Sequence, residues 1–200
     1  MSPAVMLKRE TKQTTYWLYG LMFLSLVNIV LDYSIADQYL KNADVTSIST
    51  LRGNFGTAFT IAYFGSIAIV GRWIYRAASA NKESGIEGLK YTPLSCLWWF
   101  AVPVMNLWKP YFALKEHYLA RLKCSSFPST NAETTFRLWW ASFLAFGVLA
   151  NSSYSRTYTS GEAVTVVTNS AFFSIASGIA LILSSLALIK IMRHFSDGAE

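Results

Sequence analysis

The sequence predicts an all-α integral membrane protein: a four-helix transmembrane bundle with a proline-kinked interfacial or re-entrant helix on the cytoplasmic side. Three observations lead to this fold class. Of the 200 residues, 53% are hydrophobic and only 14% are charged, whereas about a quarter of residues in soluble domains are charged. Aromatic residues reach 16%, and such rings favour the membrane–water interface. Lys and Arg flank long stretches that carry no charge.

The charge-free stretches define the expected spans, because about 20 apolar residues cross the hydrocarbon core. The four spans are expected at approximately 14–33, 55–75, 137–154 and 166–190. Together they form a single membrane domain of residues 1–200, in which residues 76–136 are a cytoplasmic or interfacial segment. The loops on the outer side are short and leave no room for a separate domain.

A fifth charge-free stretch, 91–108, is different because it contains prolines. Pro103 lies in its middle, and proline inside a helix removes a backbone hydrogen bond and clashes with the preceding turn. If this stretch stays on the cytoplasmic side, 14 of the 17 Lys and Arg residues are inside; if it spans, 8 are inside and 9 outside. The positive-inside rule therefore favours four spans with both termini in the cytoplasm.

The net charge of +6 does not indicate nucleic-acid binding. The cations flank apolar runs, as they do beside an anionic cytoplasmic leaflet, and form no basic patch of the kind that nucleic acid requires. The two cysteines, Cys96 and Cys124, have no metal or redox spacing and are expected to be reduced, inert thiols. No catalytic motif is present, so the sequence predicts neither an enzyme nor a cofactor or metal site.

The unusual residues cluster after the second span. Trp73–Arg76 reads WIYR. After it come T-P, then W-F-x-x-P-x-x-N-L-x-x-P, and then a glutamate. The next predicted span opens with a Trp pair. The pattern residues are Thr92, Pro93, Trp99, Phe100, Pro103, Asn106, Leu107, Pro110 and Glu116. From Trp73 to Trp140 the chain resembles a bacterial membrane family, domain of unknown function number 4328. Leu94 stands where that family often has glycine. The resemblance implies a small multi-span bacterial protein and no activity.

Two interpretations of the pattern remain open. On a continuous helix Trp99, Pro103, Asn106 and Pro110 share one stripe. In the first interpretation the pattern is structural: a kinked helix lies at the interface, Trp98, Trp99 and Trp108 anchor it, and Asn106 bonds polar groups that Pro103 frees. In the second interpretation, 93–110 is a discontinuous helix that lines a solute or ion path.

Two further features concern lipid and helix contacts. Residues 109–123 read as an amphipathic helix with Lys115 inside its apolar arc, which is explained by snorkelling or by an anionic headgroup. Candidate contacts with lipid headgroups are Arg72, Arg76, Lys109 and Lys115. Small residues recur every fourth position, as at Ser170, Ser174 and Gly178, and such stripes serve helix packing within the chain or in a homo-oligomer.

The leading functional hypothesis is a membrane-embedded interaction or scaffold element that acts through the basic cytoplasmic segment. The alternative is a small-solute or ion channel or transporter with the discontinuous helix at 93–110, and an intramembrane enzyme ranks third. The expected partners are membrane lipids, a second copy of the chain or another membrane protein, and no nucleic acid. The expected location is the bacterial cytoplasmic (inner) membrane.

Overall fold

The computed structural model describes residues 3–41, 43–102, 104–123, 132–159 and 163–197. All regular structure in these ranges is helical, which confirms the all-α prediction for them. The helices are α1 (Pro3–Leu40), α2 (Thr46–Glu83), α3 (Pro93–Ala101), α4 (Lys109–Lys123), α5 (Ala132–Thr159) and α6 (Ala163–Asp197). A 3-10 turn at Met105–Leu107 lies between α3 and α4. The segment expected to be cytoplasmic thus holds the short helices.

Three helical segments of the described chain are long and apolar enough to cross a membrane: Ala4–Leu40, Thr46–Glu83 and Asn169–Asp197. The first two segments contain the first and second expected spans, and the third contains residues 169–190 of the last. The third expected span, 137–154, lies in α5, which does not reach the same hydropathy because tryptophans open its apolar run and Asn151 and Ser152 close it. A fourth span therefore stays a prediction.

The end of α2 shows how the sequence shapes the connection to α3. Gly85 has a φ of +74°, a left-handed conformation that glycine adopts without steric cost. The Gly85 N–H donates to the Lys82 carbonyl at 3.1 Å and the Ile86 N–H to the Asn81 carbonyl at 3.1 Å. These two bonds satisfy the last carbonyls of the helix, so the chain leaves α2 in a fixed direction.

The described contacts divide the chain into two compact units, and α1, α2, α5 and α6 contribute to both. The first unit comprises Met1–Leu18, Gly65–Trp140 and Leu186–Glu200. Its core is aromatic: the ring of Phe195 lies 5.8 Å from that of Trp73 and 6.2 Å from that of Tyr118, and Tyr118 contacts Phe136 at 5.0 Å. The indole of Trp73 is fully buried and donates to the Thr11 hydroxyl at 2.9 Å.

In the second unit, Tyr19–Phe64 and Ala141–Ser185, small residues allow two helices to pack closely. A Cβ at Gly178 would lie 2.8 Å from Ile29 Cγ1, so only glycine permits this approach of α6 to α1. The Ser25 hydroxyl donates to the Gly178 carbonyl at 3.3 Å. Part of the predicted small-residue stripe therefore serves packing within the chain.

An ion pair also joins helices of the second unit. Arg52 Nε donates to Asp32 Oδ1 at 2.5 Å, and the Ser174 hydroxyl donates to Asp32 Oδ2 at 2.5 Å. The Asp32 side chain is only 12% exposed. The Asp32 carboxylate therefore bonds α1 to both α2 and α6.

One face of α1 is apolar and exposed. Its members are spaced alternately by three and four residues, are 42–66% exposed, and are Tyr16, Tyr19, Phe23, Leu26, Val30 and Tyr33. We call them the α1 stripe. Tyrosines lie at both ends and apolar side chains in the middle, which is the order that aromatic belts produce in a membrane-spanning helix.

Candidate functional site

The first unit contains a loop, residues 84–92, that α4 holds by one carboxylate; we call it the pinned loop. Glu116 Oε1 accepts from the Lys90 N–H at 2.9 Å, and Glu116 Oε2 accepts from the Tyr91 N–H at 3.2 Å. Hydrogen bonds to a charged acceptor are stronger than neutral ones. The glutamate of the family pattern therefore fixes the end of the loop that leads into α3.

His117, next to Glu116, makes a second attachment. It is 1% exposed, and its Nε2 lies 2.9 Å from the Tyr91 carbonyl oxygen. A carbonyl only accepts, so Nε2 carries the proton. Asn81 Nδ2 donates to the His117 carbonyl at 2.8 Å and lies 3.3 Å from His117 Nδ1. The ring is therefore neutral, with Nδ1 as the acceptor.

Arg121 completes this buried polar network. Its Nη1 donates to Asn81 Oδ1 at 3.2 Å and to the Ser84 hydroxyl at 3.4 Å. Its guanidinium carbon lies 5.9 Å from the centre of the Phe195 ring, within the range of a cation–π contact. Asn81, with no exposed surface, is thus bonded from both ends of its amide.

Sequence reasoning did not find this network. Asn81, His117 and Arg121 belong to no recognised motif. A signal was present: His117 and Arg121 are four residues apart, so they lie on the same flank of the amphipathic helix, next to its apolar arc. Polar side chains at such a border are candidates for a buried network.

Three residues of the family pattern, one threonine and two prolines, stand at the starts of helices. The Thr92 hydroxyl caps α3 by accepting from the Ser95 N–H at 3.2 Å, and Pro93 occupies the start of that helix, where its missing N–H costs nothing. Pro110 stands in the first turn of α4 and is buried. These residues set where α3 and α4 start.

Helices α3 and α4 are separate helices and not one continuous helix. Helix α3 ends at Ala101, Val102 is extended, the Asn106 N–H donates to the Val102 carbonyl at 2.8 Å, and α4 starts at Lys109. Trp99 and Asn106 therefore do not share a stripe of one continuous helix, as the sequence had suggested. The predicted kink at Pro103 lies outside the described residues.

Contacts of α3 and the 3-10 turn reach α2 and α5. The indole of Trp140 donates to the Leu107 carbonyl at 2.8 Å, and the Phe100 ring lies 6.2 Å from that of Trp140. Leu97 Cδ2 lies 3.5 Å from where a Cβ of Gly71 would stand. The pattern residues Phe100 and Leu107 thus pack on Trp140 of α5, and Leu97 packs on Gly71 of α2.

Two buried polar atoms of the pattern have no hydrogen-bond partner among the described residues: Trp99 Nε1 and Asn106 Oδ1. Burying such a group without a partner costs about 1–3 kcal/mol. The ammonium of Lys109 lies 5.4 Å from the Trp99 ring and 5.9 Å from the Tyr91 ring. The prediction that Asn106 bonds polar groups freed by Pro103 stays a prediction, because Pro103 lies outside the described residues.

The four cations proposed to meet headgroups have different surroundings. Arg72 pairs with Glu10 at 2.6 Å, and Lys109 lies over aromatic rings. Lys115 pairs with Glu133 at 3.0 Å, and the hydrogen bond that Lys115 donates to Glu133 raises the pKa of Lys115. Arg76 is exposed. The position of Lys115 in the apolar arc is explained by a carboxylate on α5, which neither sequence interpretation had included.

An open groove of about 560 Å³ lies between the pinned loop and α4; we call it the α4 groove. Apolar side chains dominate it, chiefly Ile86, Leu89, Phe112 and Leu119. Phe112 is 51% exposed and Leu119 is 37% exposed. Because Glu116 lines the groove as well, the same carboxylate that fixes the loop also fixes the groove wall.

A second exposed surface lies on α3 and the turn after it. The apolar face of α3, as we name it, consists of side chains 39–67% exposed: Leu94, Trp98, Val104, Leu107 and Trp108. Leu94 and Trp98 are one helical turn apart, so they point the same way. The opposite side of α3 carries Cys96, which is buried. The helix is amphipathic in the sense expected of an interfacial segment.

The thiol of Cys96 is 1% exposed. Burial, and secondarily the charge of Glu116, raise its pKa to about 12, so the reactive thiolate is absent at neutral pH. Cys124 lies outside the described residues. In the part of the chain that the structure describes, no three His, Cys, Asp or Glu side chains come together as metal ligands would.

A family model described as Domain of unknown function (DUF4328) matches residues 36–197. The match covers the whole stretch on which the resemblance rested and extends it into both flanking regions. No curated protein matches the chain, and no solved structure matches it either.

Proposed function

This chain belongs to the DUF4328 family, a family whose description assigns no activity, and we propose from its geometry that it is a membrane-embedded, non-enzymatic interaction or scaffold element. Its working part is the segment 76–136 on the cytoplasmic side. One observation carries the proposal: a buried polar network holds the pinned loop and α4 together beneath exposed apolar surface. Buried polar atoms that are paired rigidify a structure, and a rigid apolar groove is a surface that a partner can use.

The proposed topology has four spans within a single membrane domain, with both termini in the cytoplasm of a bacterial inner membrane. The α1 stripe supports the first span. Ion pairs support the first two: Glu10 and Asp32 stand 22 residues apart on α1, about 33 Å of helix, and pair with Arg72 and Arg52 of α2. That spacing is long enough to reach across a hydrocarbon core of about 30 Å. Charges at these positions frame an apolar interior.

We propose that α3 and the 3-10 turn lie in the cytoplasmic interface without crossing it. The nine residues of α3 extend only about 13.5 Å, less than half the hydrocarbon core. The apolar face of α3 would meet lipid, with Trp98 and Trp108 at headgroup level. The bond from the Trp140 indole to the Leu107 carbonyl supports this placement, because backbone groups outside a helix need a protein partner at membrane depth.

Photo-crosslinking from single positions tests the scaffold proposal. A photoreactive phenylalanine analogue replaces Phe112 in the α4 groove, and the full-length protein is irradiated in its own membrane before purification. We expect one defined protein adduct. The matched control replaces Phe172, which is 66% exposed on α6 in the predicted lipid-facing region, and should yield lipid adducts alone. Lipid adducts alone at Phe112 as well would contradict the proposal.

A transporter is the second candidate, and the break between α3 and α4 favours it. Broken helices with free polar groups form substrate sites in transporters, and Asn106 Oδ1 is such a group. If Asn106 is a ligand, Asn106→Leu removes an unpaired buried acceptor, so the thermal stability in detergent should not fall while ion flux in dye-loaded proteoliposomes is lost. If wild-type vesicles show no flux above protein-free vesicles, the transporter is rejected.

A further inference from the structure

We propose that His117 is a proton-operated latch: its neutral ring fastens the pinned loop to α4, and protonation of the ring releases the loop. This proposal concerns the internal bonding of the first unit, so it holds or fails independently of topology and of the scaffold role. It starts from a histidine that is 1% exposed and bonded through both ring nitrogens.

The bonding pattern accepts only one protonation state. His117 Nε2 must donate, because its partner is the Tyr91 carbonyl at 2.9 Å. Nδ1 must accept, because it faces the Asn81 amide nitrogen at 3.3 Å. A protonated ring would direct an N–H at another N–H donor. The cationic state therefore conflicts with the closed arrangement.

Rotation of the Asn81 amide cannot relieve that conflict. Its nitrogen donates to the His117 carbonyl at 2.8 Å, and its oxygen accepts from Arg121 at 3.2 Å. A flipped amide would place an oxygen against the carbonyl and a nitrogen against the guanidinium, so both bonds would be lost. The ring has to move instead, and the Tyr91 carbonyl then loses its donor.

The surrounding charges set the direction of the pKa shift. Burial lowers the pKa of His117 from its ordinary value of 6.5, against smaller opposing effects of the Tyr91 carbonyl and the Glu116 carboxylate. The other charged or titratable groups nearby act indirectly: Arg121 bonds Asn81, Lys90 is held by its backbone N–H, and Cys96 is a neutral thiol. Because the folded pKa is depressed, the latch contributes its full stability above pH 6.5 and loses it as the pH falls through the folded pKa.

Release of the latch would act on the α4 groove. The pinned loop supplies Ile86, Leu89 and their neighbours to one groove wall. The bonds from the Lys90 and Tyr91 N–H groups to the Glu116 carboxylate do not involve the His117 ring, so they remain when the latch opens. The expected change is thus a loosening of the wall, not an unfolding of the unit.

Hydrogen exchange of the full-length protein in detergent, compared at pH 7.5 and 5.5 after correction for intrinsic rates, tests the latch. Wild type should exchange the amides of 84–92 about 3- to 10-fold faster at the lower pH, the range expected from one buried hydrogen bond. His117→Gln keeps a donor toward Tyr91 and does not titrate, so its ratio should stay near one. The chain has two histidines, and His194→Gln is the matched control that should behave as wild type.

Two results would overturn the proposal: a wild-type loop that stays unchanged at a pH at which NMR shows His117 protonated, or a pH response in His117→Gln as large as in wild type. If that variant does not fold, the imidazole of wild-type His117 is titrated by NMR instead. A pKa at or above 6.5, or a loop transition whose midpoint differs from that of His117, then rejects the latch. Coinciding midpoints below 6.5 support it.

Discussion

At the scale of the residue, burial decides which side chains of the first unit are chemically available. Cys96 and His117 are each 1% exposed, yet burial has different consequences for them. For the Cys96 thiol, burial suppresses the charged and reactive form. The imidazole has its charged form suppressed and is needed in that neutral state by two partners.

Cys96 should therefore be unreactive in the folded protein. In a Cys124→Ser background we expect it to react with a maleimide at pH 7.5 at least about 100-fold more slowly than an unhindered cysteine, because both thiolate and access are lacking. The readout is the rate of mass increase in detergent. Lys82→Cys in a chain without the native cysteines is the exposed control. Rapid labelling of native Cys96 would contradict the burial of this face of α3.

At the scale of the element, sequence patterns predict the long helices but not the break between α3 and α4. Period and charge place α1, α2 and α6, because a long apolar run has one stable form in a membrane. The break between α3 and α4 was underestimated: the sequence suggested one kinked helix, whereas Val102 leaves helical conformation entirely. The helix predicted at 109–123 is present as α4, and Leu114 and Tyr118 are buried against the rest of the first unit.

The candidate site was predictable only in part, for a physical reason. Thr92 and Pro93 act locally, so their spacing reveals a helix start. Glu116, His117 and Asn81 act across 25 to 36 positions of the chain, and no local pattern encodes such a meeting. The sequence therefore marked Glu116 as part of a motif without indicating that it holds a loop.

Helix packing in the second unit gives a prediction at this scale. Gly178→Ala should lower the free energy of unfolding by about 1–3 kcal/mol, since the added methyl meets Ile29 and disturbs the Ser25 bond. Gly147→Ala is the matched control: no atom lies within 4 Å of its Cβ position, and removing a helical glycine should gain about 0.5–1 kcal/mol. Denaturant unfolding in micelles measures both. Equal effects at the two glycines would contradict the close approach.

At the scale of the whole molecule, the open question is the number of spans. Three spans would put the C-terminus opposite the N-terminus, and four put it on the same side. The difference depends on α5 alone, whose run of apolar residues is bounded by tryptophans and polar residues. The distribution of cations favours four spans over five, because 14 of the 17 Lys and Arg residues then lie inside, and not 8.

Cysteine labelling decides between the two topologies. In a chain without native cysteines, Ser47→Cys should react with a membrane-impermeant maleimide on intact cells, and Asp197→Cys should react only after permeabilisation. Both positions are exposed in the structure, so silence cannot come from burial. Labelling of Asp197→Cys on intact cells would contradict four spans with both termini in the cytoplasm.

The α1 stripe also says which bilayer suits this protein. Tyr16 and Tyr33 are 17 residues apart, about 25 Å along the helix, and tilt only shortens the distance measured across the membrane. A hydrocarbon core of about 30 Å would therefore pull the two tyrosines inward from the headgroups, at a cost of fractions of a kcal/mol per Å of mismatch. We expect the melting temperature in vesicles of graded acyl-chain length to peak at the shorter chains. The protein would then concentrate in thin regions of its membrane, sorted by thickness alone.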